Sequence, residues 1–289
     1  MDTPLIVRII AGLVVTLGLA GALAAYFIFD TVRVKAPGPA LPLPSAQNPG
    51  TFPHDAFDRV LKRFVDAQGR VDYPALTADR TDLERYMVAL ASTSPDKDPD
   101  AFVSNADRLA YWINAYNASV LYAVTALPEL RSVADNKYKF FALTRYVYGG
   151  APTSLYALEN FIIRRRFSEP RIHFALNCAS TGCPQLPAEA FVPQKLEAQL
   201  AREATAFCAD PHKVRLKGGF IELSKIFEWY AEDFESDGGP VAFCQKWGRD
   251  DLPDDAEIRL IPYDWSLNIQ PTDQGAAREG TRSRHPQKS

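Results

Sequence analysis

Cysteine, histidine and methionine are scarce in this chain of 289 residues, which has four, four and two of them. Four cysteines are too few for a disulfide-built miniprotein, and a chain this long can bury one sizeable core or two small ones without such staples. Neither sign of charge prevails. Lys plus Arg number 32 against 35 Asp plus Glu, a formal net charge of -3, so the basic surface that displaces counterions from nucleic acid is missing and no nucleic-acid partner is expected. No internal repeat is found, which excludes solenoid and propeller arrays. With 47% apolar and 23% charged residues, the composition is that of a globular protein, neither disordered nor collagen-like.

What is present first is one long apolar run. From Ile9 to Phe29 no residue is charged, and as a helix these positions would reach about 32 Å, the thickness of a bilayer's hydrocarbon core. Arg8 bounds the run on one side and Asp30, Arg33 and Lys35 on the other, with Tyr26 near the far interface. A cleaved signal peptide is the competing reading, because Ala22-Leu23-Ala24 has the small-x-small pattern of a processing site. The length of the run and the apolar terminus that cleavage would leave favour an uncleaved anchor. The basic flanks do not by themselves orient it. A short N-terminal tail, a lone anchor and an even number of cysteines are usual for a domain exported to an oxidising space, so the expectation is a single-pass inner-membrane protein with an extracytoplasmic domain. Its first partner is then the lipid bilayer, through residues 9–29.

Residues 1–8 form the N-terminal tail and 9–29 the membrane helix. Residues 30–53 are rich in proline (Pro37, Pro39, Pro42, Pro44, Pro49, Pro53) and read as an extended spacer. Residues 271–289 are polar, basic and without aromatics, and read as a disordered tail. Between them, 54–270 is expected to be a single α+β domain, with helices packed around a small, mainly antiparallel sheet. Apolar residues spaced by three and four predict helices over Asp107 to Thr125, Ser154 to Arg166 (with Ser154 as N-cap) and Ser224 to Phe234. Short strands are expected at Arg171 to Asn177 and Glu257 to Ile261. Val214 to Lys217, Gly218-Gly219 and Phe220 to Leu223 read as a hairpin, because paired glycines supply the positive φ of a tight turn.

Several stretches within this domain are distinctive: Arg108-Leu109-Ala110-Tyr111-Trp112-Ile113-Asn114-Ala115-Tyr116-Asn117-Ala118, then His173-Phe174-Ala175-Leu176-Asn177-Cys178-Ala179-Ser180 with Cys183-Pro184, then Ser224-Lys225-Ile226-Phe227 with Trp229-Tyr230 and Asp233-Phe234, and the closing Pro262-Tyr263-Asp264-Trp265-Ser266-Leu267-Asn268. In this order they resemble the domain of unknown function 547 family, over roughly Tyr73 to Asn268. The resemblance implies a domain found in bacteria, often with an anchor or signal, and in plants beside coiled-coil partners. It implies no settled reaction, and no cofactor is expected.

Polar residues in apolar settings are the candidates for function. Asn114 and Asn117 sit within a helix, where their amides compete for backbone hydrogen bonds, so they either tie loops to the helix or line a cleft with Asn177. Glu159 emerges among Leu155, Tyr156, Ile162 and Ile163 and needs a partner, for which Arg108 and His173 are the candidates. It is either half of an ion pair or a tuned acid or base. His173 is the histidine considered for chemistry, since His54 falls in the spacer, His212 in a loop and His285 in the tail. Cys178 and Cys183 bracket a small turn and form either a short-loop disulfide or a site where Cys178 is a thiolate served by His173. Five extended residues would hold those two about 16 Å apart, and the same distance weighs against a zinc site, so no metal is expected. Cys208 and Cys244 are a possible second bridge. Trp229 and Trp265 either rim a cleft or serve as core or rim packing, and Arg164-Arg165-Arg166 reads as a solvated helix end.

Three functions fit this sequence. The first is a binding module whose polar pocket, built from Asn114, Asn117, Glu159, His173 and Asn177 with Arg108 nearby, takes a peptide or a cell-envelope component. The second is a thiol hydrolase or transferase resembling papain-like or transglutaminase-like enzymes, with Cys178 as nucleophile, His173 as base and Glu159 or an Asn as orienting group. The third is a structural scaffold.

Overall fold

The computed structural model describes residues 30–35, 38–43, 52–127 and 129–271. The expected membrane helix at 9–29, the tail before it and residues 272–289 lie outside the described residues. No described helix is long and apolar enough to cross a membrane.

The domain mixes helices with two small sheets. In chain order, β1 (Asp30–Thr31) precedes α1 (Asp55–Phe64), α2 (Tyr73–Ala78), α3 (Thr81–Ser92) and α4 (Asn105–Thr125). Then come β2 (Thr144–Tyr148), β3 (Ala151–Ser154), α5 (Leu155–Ala157), a π-turn segment (Leu158–Ile163), α6 (Arg164–Phe167) and α7 (Leu196–Ala209). The chain closes with β4 (Val214–Lys217), β5 (Phe220–Ser224), α8 (Lys225–Trp229), α9 (Pro240–Lys246) and β6 (Ile258–Ile261).

Helix α4 is the axis of the larger core. It opens on a capping box, in which Ser104 Oγ accepts from the Asp107 N–H and the Asp107 carboxylate accepts from the Ser104 N–H. From Leu109 to Leu121 every residue is buried, because α3, α2 and the helical run from 155 surround it. Asn114 and Asn117 are therefore inside the core.

Each sheet has three strands, in the order β1-β2-β3 and β4-β5-β6, and each joins one antiparallel pair to one parallel pair. The expected single, mainly antiparallel sheet is thus replaced by two mixed ones. The β4–β5 hairpin stands where the glycines put it, with Gly218 and Gly219 at φ 60° and 82°. The parallel strands escaped the local pattern because their partners lie far along the chain. The strand expected at Arg171 to Asn177 is instead a 3₁₀ turn, Pro170–Phe174, with Pro170 at its first position and Glu169 accepting from the Arg171 N–H. The helix expected from Ser224 to Phe234 is α8 followed by a 3₁₀ run, Ala231–Asp237.

The described parts of the expected spacer lie on the domain. Strand β1 pairs with Thr144 and Arg145, and Val32, Val34, Leu41 and Leu43 pack against the larger core, where apolar residues between prolines find surface to cover. His54 is no spacer residue either. It is buried, and its Nδ1 receives hydrogen bonds from Tyr86 Oη at 2.8 Å and Asn114 Nδ2 at 3.0 Å.

A second, smaller core gathers Phe174, Phe207, Phe227, Phe234 and Phe243. The segment 262–270 ties the parts together. Its backbone pairs with Arg131, Ala179, Thr181, Gly182 and Val71, and Asn268 Oδ1 accepts from the Tyr73 hydroxyl at 2.7 Å. Only glycine fits at Gly182, because a Cβ there would stand 2.8 Å from the Asp264 carbonyl and the Tyr263 ring.

Candidate functional site

Where the two cores meet, a cavity of about 670 Å³ opens to solvent. It draws side chains from six places: Tyr116 of α4, Lys137 and Phe141 after Val133–Asn136, Glu159 and Arg164 of the 155–167 run, His173 and the Cys178–Cys183 turn, Trp229 and Tyr230 at the end of α8, and Tyr263 and Trp265 after β6. Of the candidates read from the sequence, Glu159, His173, Cys178 and Cys183 converge here.

Arg108, Asn114, Asn117 and Asn177 do not line the cavity, and their hydrogen bonds are made within the protein. Arg108 Nε donates to the Phe102 carbonyl at 3.1 Å. Asn114 donates to the Phe191 carbonyl and to His54 and accepts from the Phe191 N–H, all within 2.7 to 3.0 Å. Asn117 donates to the Ala175 carbonyl and accepts from the Asn177 N–H, both at 2.9 Å, which bends the chain directly after His173. Asn177 donates to the Pro184 carbonyl at 2.8 Å and accepts from the Ala179 N–H at 2.8 Å, closing the cysteine turn. That turn holds Ala179 at φ 66°, a conformation disfavoured for a residue with a Cβ.

The partners of the two titratable candidates also differ from those expected. Glu159 Oε1 accepts from the Tyr230 hydroxyl at 2.5 Å, rather than pairing with Arg108 or His173. Burial raises the Tyr230 and Tyr116 hydroxyls well above the usual tyrosine range, and the neighbouring Glu159 carboxylate raises both further. His173, almost wholly buried, holds Asp233 Oδ2 through Nε2 at 2.6 Å and stacks on the Tyr230 ring at 4.0 Å. Arg164 grips the same carboxylate with Nε and Nη2, at 2.6 and 3.0 Å, and lies over the other part of the Tyr230 environment at 4.8 Å from its ring. Partial burial opposes ionisation of Asp233, but the hydrogen bonds from His173 and Arg164 outweigh it and hold the carboxyl below the usual carboxylate range. Arg164 is therefore part of the site's frame, not a solvated helix end.

Cys178 and Cys183 form a disulfide, with Cα atoms 6.2 Å apart. The Tyr263 hydroxyl stands 3.2 Å from each sulfur, and Ser180 Oγ 3.0 Å from the Cys178 sulfur. Cys208 and Cys244 are free, buried thiols, and hydrogen bonding to Cys208 together with burial pushes the Cys244 thiol up. Trp229, Tyr263 and Trp265 form a continuous aromatic wall, with ring centroids 4.8, 4.6 and 5.7 Å apart pairwise. Among the described residues, no group of three or more His, Cys, Asp or Glu is placed to hold a metal ion.

Residues 101–208 match the model of a family described as a protein of unknown function, DUF547. The matched stretch runs from before α4 to near the end of α7, so it carries Tyr116, Glu159, Arg164, His173 and the cysteine turn, while Trp229, Tyr230, Asp233, Tyr263 and Trp265 come from beyond it. Neither the curated proteins nor the solved structures contain a match to the chain.

Tyr230, Asp233 and Tyr263 stand within the stretches that carried the family resemblance, yet their roles were not legible. The partners of Tyr230 and Asp233, namely Glu159, His173 and Arg164, lie 60 to 71 residues away along the chain, and those of Tyr263, the cysteine-turn residues Cys178, Ser180 and Cys183, 80 to 85. Lys137 gave no signal at all, since an exposed lysine on a short helical turn is ordinary.

Proposed function

We propose that this cavity is the ligand-binding site of a membrane-anchored, extracytoplasmic domain, and that the ligand is a peptide or another cell-envelope component. One observation carries the reading: the aromatic wall, the Glu159 carboxylate and the His173–Asp233–Arg164 group meet around a space large enough for a small ligand or a peptide side chain. Folding alone does not require this. Charged groups away from chemistry are more cheaply left in water, whereas here two of them are held among rings by fixed hydrogen bonds. The anchor is supported by the 21 uncharged residues from Ile9 to Phe29, and the oxidising location by the disulfide. Titration of the full chain in nanodiscs with peptide and glycan fragments of the envelope, followed by tryptophan fluorescence, tests the reading. Saturable binding that Trp265→Ala weakens at least tenfold supports it, and binding indifferent to that change refutes it.

The thiol-enzyme alternative is favoured by one arrangement, an imidazole oriented by Asp233 in the same cavity as Cys178. It requires the Cys178 sulfur to be free. Intact-mass analysis after alkylation without reductant decides: an unlabelled Cys178 excludes it, and a labelled one whose rate falls in His173→Ala supports it.

A further inference from the structure

The aromatic wall already holds a cation of its own. Lys137 Nζ stands 4.3 Å from the centre of the Trp265 ring and 6.0 Å from that of Trp229, distances at which a ring's quadrupole attracts an ammonium. Among the described residues no carboxylate lies within ion-pair distance of it. The lysine is exposed, so its ammonium could be fully hydrated, yet it lies over the rings. Glu159 supplies negative charge to the same space, since its carboxylate bonds to Tyr230 and its field reaches Tyr263, the ring between the two tryptophans. Arg164, which lines the same cavity but lies over Tyr230, is neutralised by Asp233. Ring faces with carboxylates nearby, Glu159 lining the cavity and Asp264 between Tyr263 and Trp265 in the chain, are a setting for an organic cation.

We propose that the site takes an alkylammonium group, held over Trp265, Trp229 and Tyr263 and facing Glu159, and that Lys137 occupies this position until a ligand displaces it. The inference deepens the binding-site reading and rests on it. It names the part of the ligand that the aromatic end recognises: a primary or quaternary ammonium, whether on a free small molecule or on the side chain of a peptide. Lys137 follows the short Val133–Asn136 turn and is exposed, so it can leave the rings for water without disturbing the core.

The test uses the full chain in nanodiscs, with tetramethylammonium and N-acetyl-lysine methylamide as probes and tert-butanol as the neutral isostere, read by tryptophan fluorescence. Both cations are expected to saturate the signal. Lys137→Ala is expected to lower their half-saturating concentrations about two- to fivefold, the worth of one exposed cation–π contact, and Glu159→Gln to raise them. Lys139→Ala removes the same charge two residues away, outside the cavity, and is expected to change nothing. An equal effect of Lys137→Ala and Lys139→Ala would reduce the first to bulk electrostatics and overturn displacement. Equal response to tert-butanol, or no response to either cation while an envelope fragment still binds and needs Trp265, would overturn the cation reading and leave the binding site standing. A response to tetramethylammonium alone assigns the site to free quaternary cations, and a response to both includes lysine-bearing peptides.

Discussion

Asn114→Ala separates scaffold from site most sharply. The amide is fully buried in α4 and fixes both backbone groups of Phe191 as well as His54 Nδ1. Alanine leaves the Phe191 N–H and carbonyl without partners in a dry interior, and each stranded group costs about 1–3 kcal/mol. His54 keeps its bond from Tyr86. The expected loss is therefore about 2–6 kcal/mol, which for a domain of this size lowers the melting temperature by roughly 4–24 °C. Urea unfolding, followed by circular dichroism, measures the change as a shift of the midpoint at constant slope. Ligand affinity per folded molecule should stay within twofold, because Asn114 does not line the cavity. A loss below 1 kcal/mol, or a collapse of binding in a protein that melts like the parent, would refute the assignment of this asparagine to the scaffold.

Three further outcomes follow from other parts of the molecule. Burial lowers the His54 pKa from 6.5 to about 3, partly offset by Asp58, and its Nδ1 accepts hydrogen bonds that protonation would break. The unfolded chain takes up this proton first, so the contribution is complete above pH 6.5 and is lost toward pH 3 at up to about 1.4 kcal/mol per pH unit, a slope that His54→Gln should reduce. The disulfide closes a loop with a sequence separation of five, so Cys178→Ser with Cys183→Ser should destabilise by about 2 kcal/mol in denaturant unfolding, and no loss would mean that the bond does not constrain the unfolded chain. Asp233→Ala removes the shared partner of His173 and Arg164 and should cost about 1–3 kcal/mol at neutral pH, with the difference from the parent shrinking as the parent's own Asp233 protonates below the usual carboxylate range.

Local signals were legible where neighbours in sequence decide the structure. Helix α4, the Ser154 cap, the diglycine hairpin and β6 follow from periodicity, capping and turn chemistry. Pro170 overrode the strand expected at 171–177, and the parallel pairings of β1 and β6 depend on chain returning from afar. In the candidate site, Glu159, His173 and Cys178 were visible because each was a polar or reactive group in an apolar setting. The same criterion also selected Asn114, Asn117 and Asn177, which are satisfied inside the core, for sequence marks that a group needs a partner and not which partner it has. Dismissal of His54 came from the prolines before it, although Phe52 and the histidine already belong to the larger core and its edge.

The indole N–H resonances test the central claim most directly. The chain has four tryptophans, of which Trp229 and Trp265 line the cavity while Trp112 lies in the larger core and Trp247 packs against the smaller one. Titration of envelope peptide fragments into nitrogen-15-labelled protein should shift the Trp229 and Trp265 signals together along one saturation curve and leave the other two in place. Shifts at Trp112 or Trp247 without movement at Trp229 and Trp265 would contradict the assignment of binding to this cavity.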